Sequence, residues 1–214
     1  MLKIEKTETY GWEAAIRGMR NPMNSWAKSD SEQKYYGGDC YKGVFKIGDN
    51  DLDLMKRLRN AGTDHRKYLR MIGVSCDITA PLYWWKEFDT YKVGSVANSC
   101  STMHKIQAKE FEVNDFSHEH LVDDIEAANT LYHTILSMNF ARDKYLETKD
   151  KKWWWEMIQL LPSSYNQKRT VMLNYEVLAN MYKSRKNHRL DEWHILCDWI
   201  KTLPYSELIT GGEE

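Results

Sequence analysis

Leu161-Pro162-Ser163-Ser164-Tyr165-Asn166-Gln167-Lys168-Arg169-Thr170-Val171-Met172-Leu173-Asn174-Tyr175-Glu176-Val177-Leu178-Ala179-Asn180-Met181-Tyr182-Lys183-Ser184-Arg185 is the stretch on which the fold turns. Pro162 stops the helix before it, expected over Lys151 to Leu161, because a proline ring disfavours the helical conformation of the residue it follows. A second helix is expected over Gln167 to Arg185, and it carries Lys168, Arg169, Asn174, Asn180 and Arg185. At 1.5 Å per residue, Asn174 and Arg185 would share one helix face about 16 Å apart. That spacing is too long for one phosphate. It suits two parts of an extended ligand, two sites built by neighbouring subunits, or a plain solvated face.

Working outward, Leu121, Ile125, Ala128, Leu131, Tyr132, Ile135 and Leu136 recur at three- and four-residue steps, which marks an amphipathic helix with Ser117 as its expected cap. Asp191 to Leu203 reads as the last helix. Trp153-Trp154-Trp155 cannot all face one way on a helix, so at least one is expected to meet a neighbouring subunit or a ligand.

The amino-terminal half is mixed. Leu2 to Thr9 alternates as a strand, Gly11 opens a helix through Met19, and a hairpin is expected around Tyr41 to Ile47. Asp51 or Asp53 can cap a helix ending at Gly62, and Asp64 can start another through Tyr68, Leu69 and Ile72. Val74 to Thr79 suits a strand, and Pro81 the first turn of a helix over Leu82 to Lys92. The reading is an α+β chain, with a short sheet, a predominantly helical carboxy-terminal half and a single domain over 1–214.

The 30 basic and 31 acidic residues leave a formal charge of −1, so no global field recruits nucleic acid or an anionic membrane. Cys40, Cys76, Cys100 and Cys197 form no C-x-x-C pair, no signal peptide is evident, and reduced thiols in a cytoplasm are expected. Nine Trp and thirteen Tyr against five Phe suit either wet pockets and interfaces or an aromatic-rich core. His118-Glu119-His120 would splay around a helix and is read as solvated polar residues, with no metal expected. His194 and Cys197 share a helix face, but two ligands close no metal site. Gly94-Ser95-Val96-Ala97-Asn98-Ser99-Cys100-Ser101-Thr102 combines small residues with hydroxyls and amides, which suits phosphate oxygens or an ordinary surface loop.

In order and spacing these segments resemble the flavin-dependent thymidylate synthases. The resemblance rests on Ala80-Pro81 before a helix, the loop Ser95 to His104, and Leu161-Pro162 followed by Asn174, Asn180 and Arg185; Asp191-Glu192-Trp193 is similar to the family's Ala-Gln-Trp. Arg17 and Arg20 match basic positions on the family's first helix. The family's Arg-His-Arg triplet is Thr90-Tyr91-Lys92 here, and its Arg-Tyr falls on Met103-His104.

The resemblance implies a thymidylate synthase-like fold and FAD as cofactor. It also implies dUMP as substrate, NADPH and methylenetetrahydrofolate as co-substrates, and a homotetramer in the cytoplasm. By the same resemblance Arg185 and Ser101 are the catalytic candidates, and Lys168, Arg185, Ser99 and Ser101 hold the nucleotide. Lys92, Ser95, Asn174, Asn180 and His188 lie at the flavin. Three functions follow: a flavin-dependent methylase of nucleotides, a homologue that binds a nucleotide without catalysis, and an interaction protein on the same scaffold.

Overall fold

A computed structural model describes residues 2–35 and 43–212. The elements run β1 (Lys3–Tyr10), α1 (Trp12–Arg20), β2 (Glu32–Tyr35), β3 (Gly43–Lys46), α2 (Asp49–Asn60), β4 (Gly73–Pro81), α3 (Leu82–Phe88) and β5 (Val96–Ser99). They continue with α4 (Ile125–Thr148), α5 (Lys151–Leu160), β6 (Asn166–Asn174), α6 (Tyr175–Arg185), α7 (Asp191–Lys201) and α8 (Glu207–Thr210). The fold is mixed, with a small antiparallel sheet in the order β1-β4-β6-β5 and a separate β2–β3 pair. In that pair Glu32 lies opposite Lys46 and Gln33 opposite Phe45. Tyr41 and Lys42 of the expected hairpin, and Cys40, lie outside the described residues. Among the described residues no helix is long and apolar enough to cross a membrane.

The chain divides into two compact units, each assembled from separate stretches. The first comprises Met1–Glu5, Asp77–Thr90 and Ala97–Thr170. Its core joins Phe116, Leu131, Ile135, Met138, Ala141 and Met157, with Tyr165 edge-on to Phe116 at 5.6 Å between ring centres. The burial steps on α4 are three and four residues, as expected, but the cap differs. Asp124 accepts the amides of Glu126 and Ala127 at 3.0 and 3.1 Å. Ser117 instead donates its hydroxyl to Asn166 at 2.9 Å, while its own amide donates to Ser164. Asp124 stands immediately before the first helical residue, where a carboxylate can reach both free amides. The helix expected over Leu82 to Lys92 stops at Phe88, because the Thr90 hydroxyl donates to the Glu87 carbonyl at 2.7 Å and closes the last turn.

The second unit comprises Lys6–Cys76, Tyr91–Val96 and Val171–Glu214. Gly11 opens α1 at φ +86°, and any Cβ there would collide with the Met71 carbonyl, so the turn requires glycine. The helix expected from Asp64 is a tight 3-10 turn, Lys67–Met71, that buries Tyr68 and Leu69. Tyr175 is fully buried; its amide donates to Ile72 at 3.0 Å and its hydroxyl to Pro204 at 2.5 Å.

The largest departure from expectation is at 167–174, which is strand rather than helix. Gln167, Val171 and Leu173 are buried on the period of two that a strand requires. Only from Tyr175 does the period become helical.

Asp51 does not cap α2 but lies inside the second unit, fully buried against Arg20 at 2.6 Å. Its other oxygen accepts from the Ser29 and Ser31 hydroxyls and from the amides of Asp30 and Ser31. The α2 start is capped from outside, by Asp30 accepting the Asn50 and Asp51 amides. Burial pushes the Asp51 carboxyl up, but the donors from Ser31, Ser29, Arg20 and Asp30 outweigh it and hold the group below its ordinary value. A carboxyl depressed on folding contributes stability above its unfolded pKa, and that stability is lost as pH falls through the folded one. Stability should therefore fall below about pH 4. Asp51→Asn should cost about 3–5 kcal/mol at neutral pH, since it strands the buried Arg20 charge. Urea unfolding across that range should also show a shallower acid limb in the variant.

Candidate functional site

The β6–α6 junction places the residues of interest in the second unit. Asn174 ends the strand and caps the helix, its carbonyl accepting the Val177 amide at 2.9 Å. The same side chain donates to the Gly94 carbonyl at 3.4 Å. Gly94 sits at φ +76°, and a Cβ there would approach the Asn174 amide nitrogen to 2.5 Å, so conformation and space both demand glycine. Ser95 donates its hydroxyl to the Tyr91 carbonyl, and Lys92 is exposed.

Arg185, the last residue of α6, is half-buried against two adjoining aromatic rings. Its guanidinium carbon lies 4.6 Å from the Trp193 ring centre and 5.6 Å from that of Tyr91. The Arg185 Nε–H donates to the Tyr91 hydroxyl at 3.0 Å. Trp193, fully buried on α7, meets Tyr91 edge-on at 6.1 Å and His188 at 6.2 Å. His188 Nδ1 accepts the Leu190 amide at 3.2 Å, which leaves its proton on Nε2 in the neutral ring. One turn before Arg185, Asn180 accepts from Arg66 at 3.2 Å, and Arg66 also pairs with Glu176 at 3.0 Å.

A separate group of candidates lies in the first unit. Lys168 Nζ is 3.0 Å from Asp77, and that hydrogen bond holds its pKa above the usual lysine value, so the side chain stays charged. The Cys100 amide donates to the Lys168 carbonyl at 2.9 Å and the Gln167 side chain donates to the Cys100 carbonyl at 2.7 Å, pinning the loop between Ser99 and Ser101 to β6. The Ser101 hydroxyl accepts the Met103 and His104 amides at 3.3 and 2.9 Å. Ser99 is exposed. Arg169 stacks on Trp85 at 4.1 Å and pairs with Asp89 at 2.8 Å, so it is a structural cation. Arg20 is likewise consumed by Asp51.

The structure thus brings Tyr91, Arg185, His188 and Trp193 into one cluster, and Ser99, Ser101 and Lys168 onto neighbouring backbone. Asn174 caps α6 and Asn180 lies on it, and each is bonded within the protein. Reading the residues alone missed the Trp193 and Tyr91 contacts with Arg185 and the Asp77 partner of Lys168. No local motif announces them: Tyr91 and Asp77 are far from their partners in sequence, and Trp193 meets Arg185 only because the chain turns between α6 and α7.

No protein-family model matches the sequence, and no curated protein does. Solved structures do. The chain is similar to the flavin-dependent thymidylate synthase ThyX from Helicobacter pylori complexed with FAD and dUMP, with a TM-score of 0.71 at 17% identity, over 99% of this chain and 100% of that one. The fold is that of the flavin-dependent thymidylate synthases. A second ThyX structure from Helicobacter pylori, also with FAD and dUMP, gives 0.70 at 18% identity over 99% and 98% of the two chains. The UMP/dUMP methylase PolB from Streptomyces cacaoi, bound with 5-Br dUMP, gives 0.59 at 13% identity over 99% and 95%.

On this ThyX-like fold, several of the side chains that the family resemblance assigns to FAD are hydrogen-bonded within the protein. Both ends of the Asn174 amide are bonded inside the unit, the Asn180 carbonyl is held by Arg66, and the Ser95 hydroxyl is bonded to Tyr91. Lys92 offers a point charge without the guanidinium fork of the family triplet. A flavin at these side chains would exchange some of these internal bonds for bonds to the cofactor.

Tyr91→Phe keeps the ring beside Arg185 but removes the acceptor for its Nε–H. It should cost about 1–2 kcal/mol by urea unfolding. Trp193→Ala, which empties a fully buried site, should cost about 3–5 kcal/mol.

Proposed function

We propose that this protein binds a pyrimidine nucleotide on the thymidylate synthase scaffold, with Arg185 contacting the base. The observation that carries this reading is the Arg185 guanidinium held against the adjoining rings of Tyr91 and Trp193. A cation oriented by rings offers planar donors to the carbonyl oxygens of a uracil, and those donors favour its electron-poor, reactive form. The dUMP and 5-Br dUMP complexes of the similar folds agree with that ligand class.

Ser99, Ser101 and Lys168 are assigned to the nucleotide's polar groups, with the partly exposed Lys168 exchanging its Asp77 partner for a phosphate oxygen. Ser101 already accepts two amides, so its hydroxyl proton is directed outward to a ligand oxygen. The setting is cytoplasmic. A homo-oligomer, a tetramer by family resemblance, is supported by the row Ile125, Tyr132, Leu136 and Phe140 on α4, of which Ile125 is 75% exposed and Phe140 55%.

The second reading is reductive methylation of dUMP with FAD, NADPH and methylenetetrahydrofolate. The likeness to FAD complexes over 99% of the chain favours it. Flavin, when bound, would supply the one-carbon and hydride chemistry, leaving the protein to orient and polarise the pyrimidine.

Thermal melting with UMP, dUMP, dTMP and AMP separates these readings. A pyrimidine nucleotide at about a hundred times its Kd should stabilise the fold by about 2.7 kcal/mol, with Arg185→Ala abolishing the shift. Absence of a shift with every pyrimidine nucleotide overturns the proposal. Saturable visible absorbance after addition of FAD, together with dTMP formation, would establish the second reading. A colourless protein that still binds dUMP would leave only the first.

A further inference from the structure

A cavity lies wholly in the second unit and uses none of the nucleotide or flavin candidates. It encloses about 870 Å³ between the end of β1, the start of α1, the β2–β3 pair and Pro204-Tyr205. That volume falls within the roughly 300–1,000 Å³ of small-molecule sites. We infer that this cavity is a second ligand site, for a planar aromatic acid.

The shape argument is aromatic. Tyr10, 43% exposed, and the half-buried Phe45 and Tyr205 line the space, while Gly11 and Ala14 contribute little bulk. Trp12 backs Tyr205 edge-on at 5.4 Å. Tyr205 is held at φ +53°, a left-handed conformation that a non-glycine residue rarely adopts. Its hydroxyl accepts the Ile47 amide at 3.0 Å, so this backbone is braced from the β3 side. A strained aromatic residue braced at the wall of a cavity is a feature that packing alone does not require. Flat rings stacking on flat rings suit such walls.

The charge argument selects an acid. Arg17 and Glu13 are the charged residues lining the cavity, one helical turn apart and joined at 2.8 Å. Both are largely exposed, so their pairing contributes little and exchanges readily for a ligand carboxylate or sulfonate. The cavity also borders the start of α1, where Gly11 supplies no side-chain cap, and the helix end adds partial positive charge. Glu13 is then a competitor for Arg17, displaced when an acidic ligand enters.

The probe is 1-anilinonaphthalene-8-sulfonate, compared with N-phenyl-1-naphthylamine, which has the same rings without the sulfonate. With the full chain folded, as checked by its cooperative melt, the sulfonate should bind saturably at one site with enhanced fluorescence. Arg17→Ala should weaken it about tenfold and Glu13→Gln should tighten it several-fold; both changes are on the surface and leave the fold intact. The neutral probe should bind more weakly and ignore both substitutions. Ala14→Trp, which fills the space, should abolish binding of either. Saturating dUMP should leave the sulfonate bound, so this result stands or falls independently of the nucleotide site. Unsaturable binding, indifference to Ala14→Trp, equal behaviour of the two probes, or displacement by dUMP would each overturn the proposal.

Discussion

The hydrogen bond from the Val177 amide to the Asn174 side chain fixes the place where β6 ends and α6 begins. Upstream, alternate residues face one side of the sheet; downstream, the repeat becomes helical and Glu176, Asn180 and Arg185 take their positions from it. Because Asn174 also reaches the Gly94 carbonyl, the junction holds the segment that carries Tyr91. Gly94 can approach so closely only because it lacks a side chain. The arrangement around Arg185 therefore depends on one amide that serves strand end, helix cap and loop together.

That dependence changes what the replaced family triplet means. Thr90-Tyr91-Lys92 lacks the paired guanidinium groups of the family it resembles, yet Tyr91 is bonded directly to the retained Arg185. A histidine in its place would offer a shorter ring without the distal hydroxyl. The substitution is thus coupled to the site rather than a simple loss. Similarly, Lys168 keeps a charge under the influence of Asp77, where an arginine would have brought a fork.

Much of the fold was legible from residue periods and punctuation. Lys151 to Leu161 and Asp191 to Leu203 were readable as helices because each has a contiguous pattern and a clear stop. The segment 167–174 was not, because Lys168-Arg169-Thr170 interrupts its alternation and continuity with α6 invites one long helix. Asp51 or Asp53 reads as a cap on local grounds; the bond from Arg20 to Asp51 spans thirty-one positions, beyond any local rule. In the site, the helix and Arg185 could be anticipated, whereas Tyr91 reaches it from a distant segment and Trp193 from the helix that follows.

The tryptophan excess acquires a physical role in this light. Trp85 receives Arg169 on its face and donates its indole N–H to the Gln167 carbonyl at 3.0 Å. Trp193 receives Arg185, and Trp153 lies beneath Lys152 at 4.8 Å. A phenylalanine can fill a core, but the larger indole face attracts a cation more strongly. An aromatic ring orients a guanidinium without adding a compensating charge, whereas a carboxylate orients and neutralises it together. Arg20, locked to Asp51, is the second kind and builds the fold; at Arg185 the rings of Tyr91 and Trp193 help to orient the guanidinium.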